Sequence, residues 1–275
     1  MKIALISDLH IDINESYPVM KTLSQIAKEE KAEGVVIAGD LSEDVDLTRK
    51  SAENLEQDCG CSVWYVPGNH DMWSRDFEKN STDEIYEQYR KDKRCLVEKP
   101  VSLIGKLGRF FLIGDIGWYD YSFASHRYSE SQLEQMRWKG RIWQDSLRNQ
   151  WTKDNRAKSE EMVKKLEKEL LSCGNVPVVV VTHMLPVNDF CVSEQREEWG
   201  YFNGFLGSSA LGELYKQYPV IHAVCGHVHF RAKVKRDGIQ YHCPCLGYWT
   251  EWKKHPQYFQ DVRFQLEQSI QWIDL

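Results

Sequence analysis

Polar side chains that can bind metal ions follow five short apolar runs of the sequence. They stand where each run ends, at Asp8-Leu9-His10, Asp40, Asn69-His70-Asp71, His183 and His227-Val228-His229. A single histidine after a strand is more often a hydrogen-bonded structural residue than a metal ligand. In open α/β sheets, however, ligands gather at the carboxyl ends of the strands, and five such ends would bring distant side chains together. We therefore expect one shared site.

The donors in this set suit metal-dependent hydrolysis at phosphorus. They are the carboxylates of Asp8 and Asp40, the amide oxygen of Asn69, and the imidazoles of His10, His183, His227 and His229. Seven donors exceed what one tetrahedral zinc uses, whereas a bridging carboxylate would give each of two manganese, iron or zinc ions four contacts. Two ions roughly 3.5 to 4 Å apart would bind phosphate oxygens and acidify a shared water. The set predicts phosphoester hydrolysis without a covalent enzyme intermediate.

The apolar runs lack helical spacing and are typical of strands buried on both faces. They cover residues 2–7, 34–39, 63–68, 177–182 and 220–226. Segments with helical spacing or composition lie at 18–32, 44–57, 82–92, 155–172 and 208–217. This alternation predicts strand-helix-strand units and a largely parallel sheet. Turn signals predict hairpins at 101–114 and 231–243, so the sheet system should be mixed, and we expect residues 261–275 to add another hairpin.

The motifs, taken together, resemble those of the calcineurin-like metallophosphoesterase family. Asp-Leu-His, Gly-Asp, Gly-Asn-His-Asp, Val-Thr-His and Gly-His-Val-His occur in the family's order between residues 8 and 229. Each element alone is a weak signal, but the complete ordered set is a strong one. The resemblance implies a dinuclear metal-dependent phosphoesterase with an α/β fold, a four-layer αββα sandwich of two mixed β-sheets flanked by helices.

The resemblance also assigns roles to the donors. It implies that one metal is held by Asp8, His10 and His229, that the second is held by Asn69, His183 and His227, and that Asp40 bridges both. His70 stays off the metals, where it would stabilise the phosphate or protonate the departing alkoxide. Many members carry a second Asp that orients this histidine, and here Glu43 stands in its place. Glu43 or Asp71 would then orient His70, and the departure argues against the Ser/Thr phosphatase branch.

Residues 115–151 are predicted to form a cap insertion on a single domain that spans residues 1–275. The segment contains Trp118, Trp138, Trp143 and Trp151 together with Arg127, Arg137, Arg141 and Arg148. Aromatic faces there would stack on a substrate ring and arginines would bind a phosphate, or the tryptophans would simply pack the insertion onto the domain. The stretch Trp73-Ser74-Arg75 and the loop 197–208 are further candidates for substrate contact.

Composition narrows the possible partners. The chain has 275 residues, 42% of them hydrophobic, and a formal net charge of −6, so nucleic acid is an unlikely partner. No apolar stretch approaches the roughly 20 residues of a membrane helix, and the first residues lack a signal-peptide cleavage pattern. We expect a cytoplasmic protein that has no membrane partner and eight free cysteines. Nothing in the sequence indicates an oligomeric state.

The leading hypothesis is hydrolysis of a small phosphorylated molecule, either a phosphodiester, a phosphomonoester or a nucleotide. One alternative is a non-catalytic scaffold of the same fold, but such a protein is expected to lose metal ligands or the catalytic histidine, and this sequence keeps both. Another is a nuclease that acts on single-stranded nucleic acid in an aromatic-lined cleft. The acidic net charge makes the nuclease less favourable.

Overall fold

The structure is a computed structural model that describes residues 1–74, 81–106, 108–252 and 261–275. Its strands are β1 (Lys2–Ile6), β2 (Gly34–Ala38), β3 (Ser62–Val66), β4 (Val101–Gly105), β5 (Gly108–Asp115), β6 (Arg137–Trp138), β7 (Arg141–Ile142), β8 (Val178–Thr182), β9 (Val220–Val224), β10 (Arg231–Arg236), β11 (Ile239–Pro244) and β12 (Gln271–Asp274). Its helices are α1 (Val19–Glu29), α2 (Val45–Cys59), α3 (Thr82–Lys91), α4 (Glu130–Leu133), α5 (Asp145–Arg148), α6 (Asn155–Cys173), α7 (Trp199–Phe202), α8 (Ser209–Tyr215), α9 (Trp249–Trp252) and α10 (Val262–Ser269).

The strands form two large mixed sheets and a small hairpin. The first sheet has the order β12-β1-β2-β3, and the second has the order β10-β11-β9-β8-β5-β4. The central strands of each sheet are parallel. Antiparallel strands lie at one edge of the first sheet, which is β12, and at both edges of the second, which are β10 and β4. The predicted hairpins at 101–114 and 231–243 are confirmed as β4-β5 and β10-β11. The β6-β7 pair lies within the predicted insertion.

Alternating side chains produce the four-layer sandwich. In β2, Val36 and Ala38 belong to the apolar layer between the sheets, whereas Val35 and Ile37 belong to the layer beneath the helices. Strand β8 alternates in the same way. Buried residues of α1 and α2 cover the outer face of the first sheet, and those of α6 and α8 cover the second. The predicted αββα fold is confirmed.

The hairpin predicted at 261–275 is wrong, because the segment begins with a helix. The carboxylate of Asp261 accepts a hydrogen bond from the backbone N–H of Phe264, which caps the first turn of α10. Leu266 is fully buried on the inner face of this helix. Only β12 is extended, and it pairs with β1 as an antiparallel edge strand. The local cap therefore decides the conformation of a segment whose apolar residues suit either structure.

The five strands that precede the predicted donors divide between the two sheets. Strands β1, β2 and β3 belong to the first sheet, while β8 and β9 belong to the second. A parallel bridge between Ser7 and Cys245 joins the end of β1 to the end of β11, so the carboxyl ends of both sheets meet. This junction places the donor-bearing loops together. Among the described residues, the helices are too short or too polar to cross a bilayer.

Candidate metal centre

The first group of donors combines Asp8, His10, Asp40 and His229. Their ligand atoms all lie within 4.8 Å of one another. The Nε2 atoms of His10 and His229 are 3.0 Å apart, and His229 Nε2 lies 3.5 Å from Asp8 Oδ1. The carboxylate of Asp8 also accepts hydrogen bonds from the backbone N–H of His227, at 3.0 and 3.1 Å. This group matches the predicted first metal site together with the predicted bridge.

The second group combines Asp40, His183, His227 and Asn69. Ligand atoms of Asp40, His183 and His227 lie within 4.8 Å of one another. Asn69 joins them because its Oδ1 lies 3.0 Å from Nε2 of His183. The structure thus brings all seven predicted donors into two groups that share Asp40. Their roles as ligands stay predictions.

The carboxylate of Asp40 shows why a cation fits between the groups. Its Oδ1 accepts a hydrogen bond from the backbone N–H of His70 at 2.9 Å. Its Oδ2 is buried and has no hydrogen-bond partner in the described part of the chain, although it lies 3.3 Å from His183 Nε2 and 3.6 Å from His10 Nε2. Buried carboxylate oxygens are normally paired. Metal ions beside these imidazoles would satisfy this oxygen, so the donor set fits the metals that the sequence predicts.

Second partners orient three of the four histidines. The Nδ1 atom of His183 lies 2.8 Å from the carbonyl oxygen of Ala38, and Nε2 of His227 lies 3.2 Å from that of Phe205. The Nδ1 atom of His229 lies 3.0 Å from a carboxylate oxygen of Glu251. A ring N–H donated to such an acceptor leaves the other nitrogen unprotonated. In its neutral form, each of these imidazoles would therefore offer one lone pair to a metal.

Charges in the pocket act against the effect of burial. Burial would raise the pKa of Asp40, yet the nearby His183 and His70 hold that pKa well below its usual range. Burial would lower the pKa of His183, but Asp40 raises it to about 9. Burial lowers the pKa of His10, and it lowers the pKa of His227 to about 3. The pocket therefore favours positive charge beside Asp40, whereas burial favours the neutral imidazoles of His10 and His227.

His70 lies beside the donors. Its ring stacks on Trp73 with centroids 3.6 Å apart, and it contacts the ring of His10 edge-on at 4.8 Å. Its Nε2 lies 3.3 Å from the hydroxyl of Tyr248. Burial lowers the pKa of His70, although Asp40 acts in the opposite direction. The imidazole is therefore held by Trp73 on one face and by Tyr248 at Nε2, next to the two groups of donors.

A sequence comparison identifies the family that carries this arrangement. The sequence model of the calcineurin-like phosphoesterase family matches residues 1–231 of the chain. The chain belongs to that family. The match includes every predicted donor and His70, and it ends before β11 of this calcineurin-like phosphoesterase.

Relatives of known structure share the fold over nearly the whole phosphoesterase. The chain is 23% identical to PptH of Mycobacterium tuberculosis, an acyl-carrier-protein phosphodiesterase, over 92% of this chain and 80% of PptH. The crystal structure of PptH, a phosphopantetheinyl hydrolase, aligns with a TM-score of 0.76 and 21% identity over 94% of this chain and 93% of that one. TT1561 of Thermus thermophilus aligns with a TM-score of 0.51 and 11% identity over 99% and 98%. Structural similarity at such low sequence identity shows a shared fold and no more.

The two candidates for orienting His70 occupy different places in this phosphoesterase. The carboxylate of Asp71 accepts hydrogen bonds from the backbone N–H groups of Gly68, Leu41 and Ser42, at 2.8 to 3.2 Å. It therefore braces the loops after β2 and β3, while Nδ1 of His70 has no hydrogen-bond partner in the described ranges. The backbone N–H of Glu43 donates a hydrogen bond to the carboxylate of Asp12. The negative charge of the Glu43 carboxylate acts to raise the pKa of His70. Which of the two orients His70 stays a prediction.

Sequence reasoning did not identify three residues that contact the site. Tyr248 and Glu251 follow β11, and Asp145 begins α5. The rule that ligands gather beyond strand ends would have found the first two if it had been applied to β11, which seemed to be only one arm of a hairpin. Asp145 carries no such signal, because it lies in the irregular insertion.

The predicted cap insertion contributes both packing and contacts near the site. Trp118 is buried against Trp151, with ring centroids 5.4 Å apart. These two tryptophans therefore pack the segment onto the domain, which is one of the two predicted roles. The ring of Trp143 instead meets His227 edge-on at 5.7 Å. The guanidinium of Arg148 lies 5.6 Å above the ring of Trp73, close to His70. Arg75, another predicted substrate contact, lies outside the described residues.

Proposed function

We propose that this chain hydrolyses phosphodiesters with the help of two metal ions. The observation that carries the proposal is the pair of donor groups that share Asp40, whose buried Oδ2 faces imidazoles of both groups. One ion would be held by Asp8, His10 and His229, and the other by Asn69, His183 and His227, with Asp40 between them. Bound manganese, iron or zinc ions would polarise the phosphoryl oxygens and make water nucleophilic at neutral pH.

The protein itself would supply orientation and proton transfer. His70 is held by Trp73 and Tyr248 beside the donors but belongs to neither group. We assign to its protonated ring the hydrogen bond to the leaving oxygen, and the ring would give its proton to that oxygen as the P–O bond breaks. Trp143 and Arg148 place the insertion 115–151 against the same loops. We accordingly propose that this insertion is a cap on a single domain.

Activity with manganese on an aryl phosphodiester tests the proposal. We expect Asp40→Asn to lower kcat/KM at least about 100-fold and to reduce the metal content of both sites. Asp237→Asn is the matched control, because Asp237 has the same left-handed backbone (φ 52° against 55°) in an exposed turn between β10 and β11. Wild-type protein that stays inactive with manganese, iron, zinc, nickel and cobalt would contradict the proposal.

A narrower substrate class comes from the likeness to PptH. We propose a phosphodiester that joins a phosphopantetheinyl group to a carrier protein, because the likeness covers 92% of this chain and extends beyond residue 231. Incubation with a carrier protein in its phosphopantetheinylated form should remove the prosthetic group, as a mass spectrum would show. The His70→Ala variant should leave the carrier unchanged. Hydrolysis of aryl diesters without any effect on the carrier would refute this substrate and leave the reaction class intact.

Two experiments address the remaining proposals. A nuclease would track phosphates, so its activity on oligonucleotides would fall steeply with salt, whereas we expect hydrolysis of a small diester to change little. We also propose a cytoplasmic location, which the eight free thiols support. Fractionation of cells that express the protein would test it, and recovery from an exported fraction would contradict it.

A further inference from the structure

A buried carboxylate in the insertion contacts the Asn69 side chain directly. Asp145, the first residue of α5, is only 2% exposed. Its Oδ1 accepts hydrogen bonds from Asn69 Nδ2 at 2.9 Å and from Trp73 Nε1 at 2.7 Å. Its Oδ2 accepts one from Trp143 Nε1 at 2.9 Å. Three N–H groups from two segments of the chain therefore converge on one carboxylate.

This carboxylate decides which way the Asn69 amide faces. The two ends of an amide group have nearly the same size and differ in hydrogen bonding, so their partners set the orientation. Nδ2 faces Asp145, and Oδ1 consequently faces the opposite way, where it lies 3.0 Å from His183 Nε2. A flipped amide would set its oxygen against an ionised carboxylate and its NH₂ group against the donor groups. The first contact would be repulsive, and the second would turn toward the donors a group that has no lone pair for a metal ion.

We infer that Asp145 is a positioning residue that holds the amide oxygen of Asn69 toward the second group of donors. The inference rests on the proposed function, in which Asn69 is a metal ligand. Because Asp145 belongs to the 115–151 segment, the insertion takes part in building the metal centre as well as covering it. A partner that orients a ligand in this way typically contributes 10- to 100-fold in metal affinity.

A purely structural role for Asp145 makes a different prediction. If the carboxylate only attached the insertion to the domain, its loss would lower stability and affect both metals alike. A positioning role affects one metal, because the first donor group of Asp8, His10 and His229 does not include Asn69. Binding of the two ions, measured separately and without substrate, therefore distinguishes these roles.

The experiment compares manganese binding to wild type, Asp145→Ala, Asp145→Asn and Asp120→Ala. Calorimetry gives the two affinities, and electron paramagnetic resonance reports the spin coupling of the manganese pair. We expect Asp145→Ala to weaken one ion about 10- to 100-fold, to leave the other unchanged and to lose the coupled signal at low manganese. Excess manganese should restore its activity. Asp145→Asn should be milder, because its amide oxygen can still accept from Asn69.

Asp120→Ala is the matched control, since it removes a carboxylate of the same 115–151 segment that accepts hydrogen bonds from the Ser122 N–H and the Ser208 hydroxyl and not from a donor residue. We expect both of its manganese affinities to stay near those of wild type. The inference would be overturned if Asp145→Ala bound both ions with wild-type affinity. It would also be overturned if both affinities fell by the same factor together with a lower Tm. If Asp145→Ala does not fold, Asp145→Leu takes its place, because leucine is similar in size to aspartate and cannot accept a hydrogen bond from Asn69. Two wild-type affinities in that variant overturn the inference instead. Wild-type protein that binds no pair of ions would refute the proposed function itself.

Discussion

Replacement of Gly68 by alanine should damage the metal centre through a single methyl group. A Cβ atom at this position would lie 2.2 Å from Asp40 Oδ1, 2.6 Å from the backbone nitrogen of Asp40 and 2.8 Å from His183 Cγ. Ordinary contact begins at 3.4 Å. All three atoms are buried and one of them is backbone, so the contacts could be relieved only by displacing packed groups of the site.

The size of the effect follows from these distances. Overpacking of a buried position typically costs about 1–3 kcal/mol of unfolding free energy. The carboxylate of Asp40 would have to retreat by about 1 Å, and a misplacement of that size can lower catalytic rates about 100-fold. We therefore expect Gly68→Ala to fold with a reduced Tm, to bind manganese weakly, and to hydrolyse an aryl phosphodiester about 100-fold more slowly.

Gly60→Ala provides the matched control for this prediction. Gly60 follows α2 in a left-handed conformation with φ 71°, and nothing lies within 4 Å of the position that a Cβ would take. The substitution therefore costs about 1 kcal/mol through backbone strain alone and should leave kcat and manganese affinity unchanged. A Gly68→Ala protein with wild-type manganese affinity and activity would refute the reasoning, because it would show that the donors tolerate displacement.

Further predictions concern other buried groups. Glu251→Gln should weaken the metal bound by Asp8, His10 and His229 about 10-fold and spare the other, which manganese calorimetry would show, because the Glu251 carboxylate accepts from His229 Nδ1. Glu169→Gln should raise the unfolding free energy at pH 8 by about 1–2 kcal/mol in urea titrations. Burial raises the pKa of Glu169 to about 9 in the folded protein. Between pH 4.5, the ordinary pKa of this group, and pH 9, the unfolded chain therefore loses a proton that the folded protein keeps. The free energy of unfolding consequently falls as the pH rises through this range. Equal wild-type stability at pH 5 and pH 8 would contradict this. Cys59 should be alkylated by iodoacetamide faster than the buried cysteines at pH 7, because a hydrogen bond from Cys61 lowers its pKa to about 6, and Cys61→Ala should remove the advantage. Peptide mass spectrometry would measure these rates.

The main strands and the donors of the centre could be predicted from the sequence because both have local signals. Apolar runs of five residues read directly as β1, β2 and β8, and the polar residue after each run marks the strand end. The division of these strands between two sheets has no comparable signal in periodicity. It depends on the junction between Ser7 and Cys245, which are far apart in sequence. The resemblance to the family, and not the spacing, predicted two sheets.

The partners of the donors were harder to predict, because they come from segments without regular periodicity. Asp145 lies in the insertion, and only the folded chain places it beside Asn69. Glu251 lies in a short helix after β11, where one carboxylate among many carries no sequence signal. Such contacts depend on loop paths that apolar patterns do not specify. Sequence motifs therefore predicted the donors and missed the carboxylates that contact two of them.

The backbone at the donors explains why these loops need a brace. Asp8, His10, Asp40, His227 and His229 all have left-handed backbone with φ between 39° and 74°. Such conformations are unfavourable for residues other than glycine and persist only where surrounding contacts hold them. Asp71 provides such contacts, since it accepts from the backbone N–H groups of Leu41 and Ser42 directly after Asp40, as well as from Gly68. The Asp71 carboxylate thus has a structural role, whichever residue orients His70. We expect the loop that carries Asp40 to leave its left-handed conformation when these hydrogen bonds are removed.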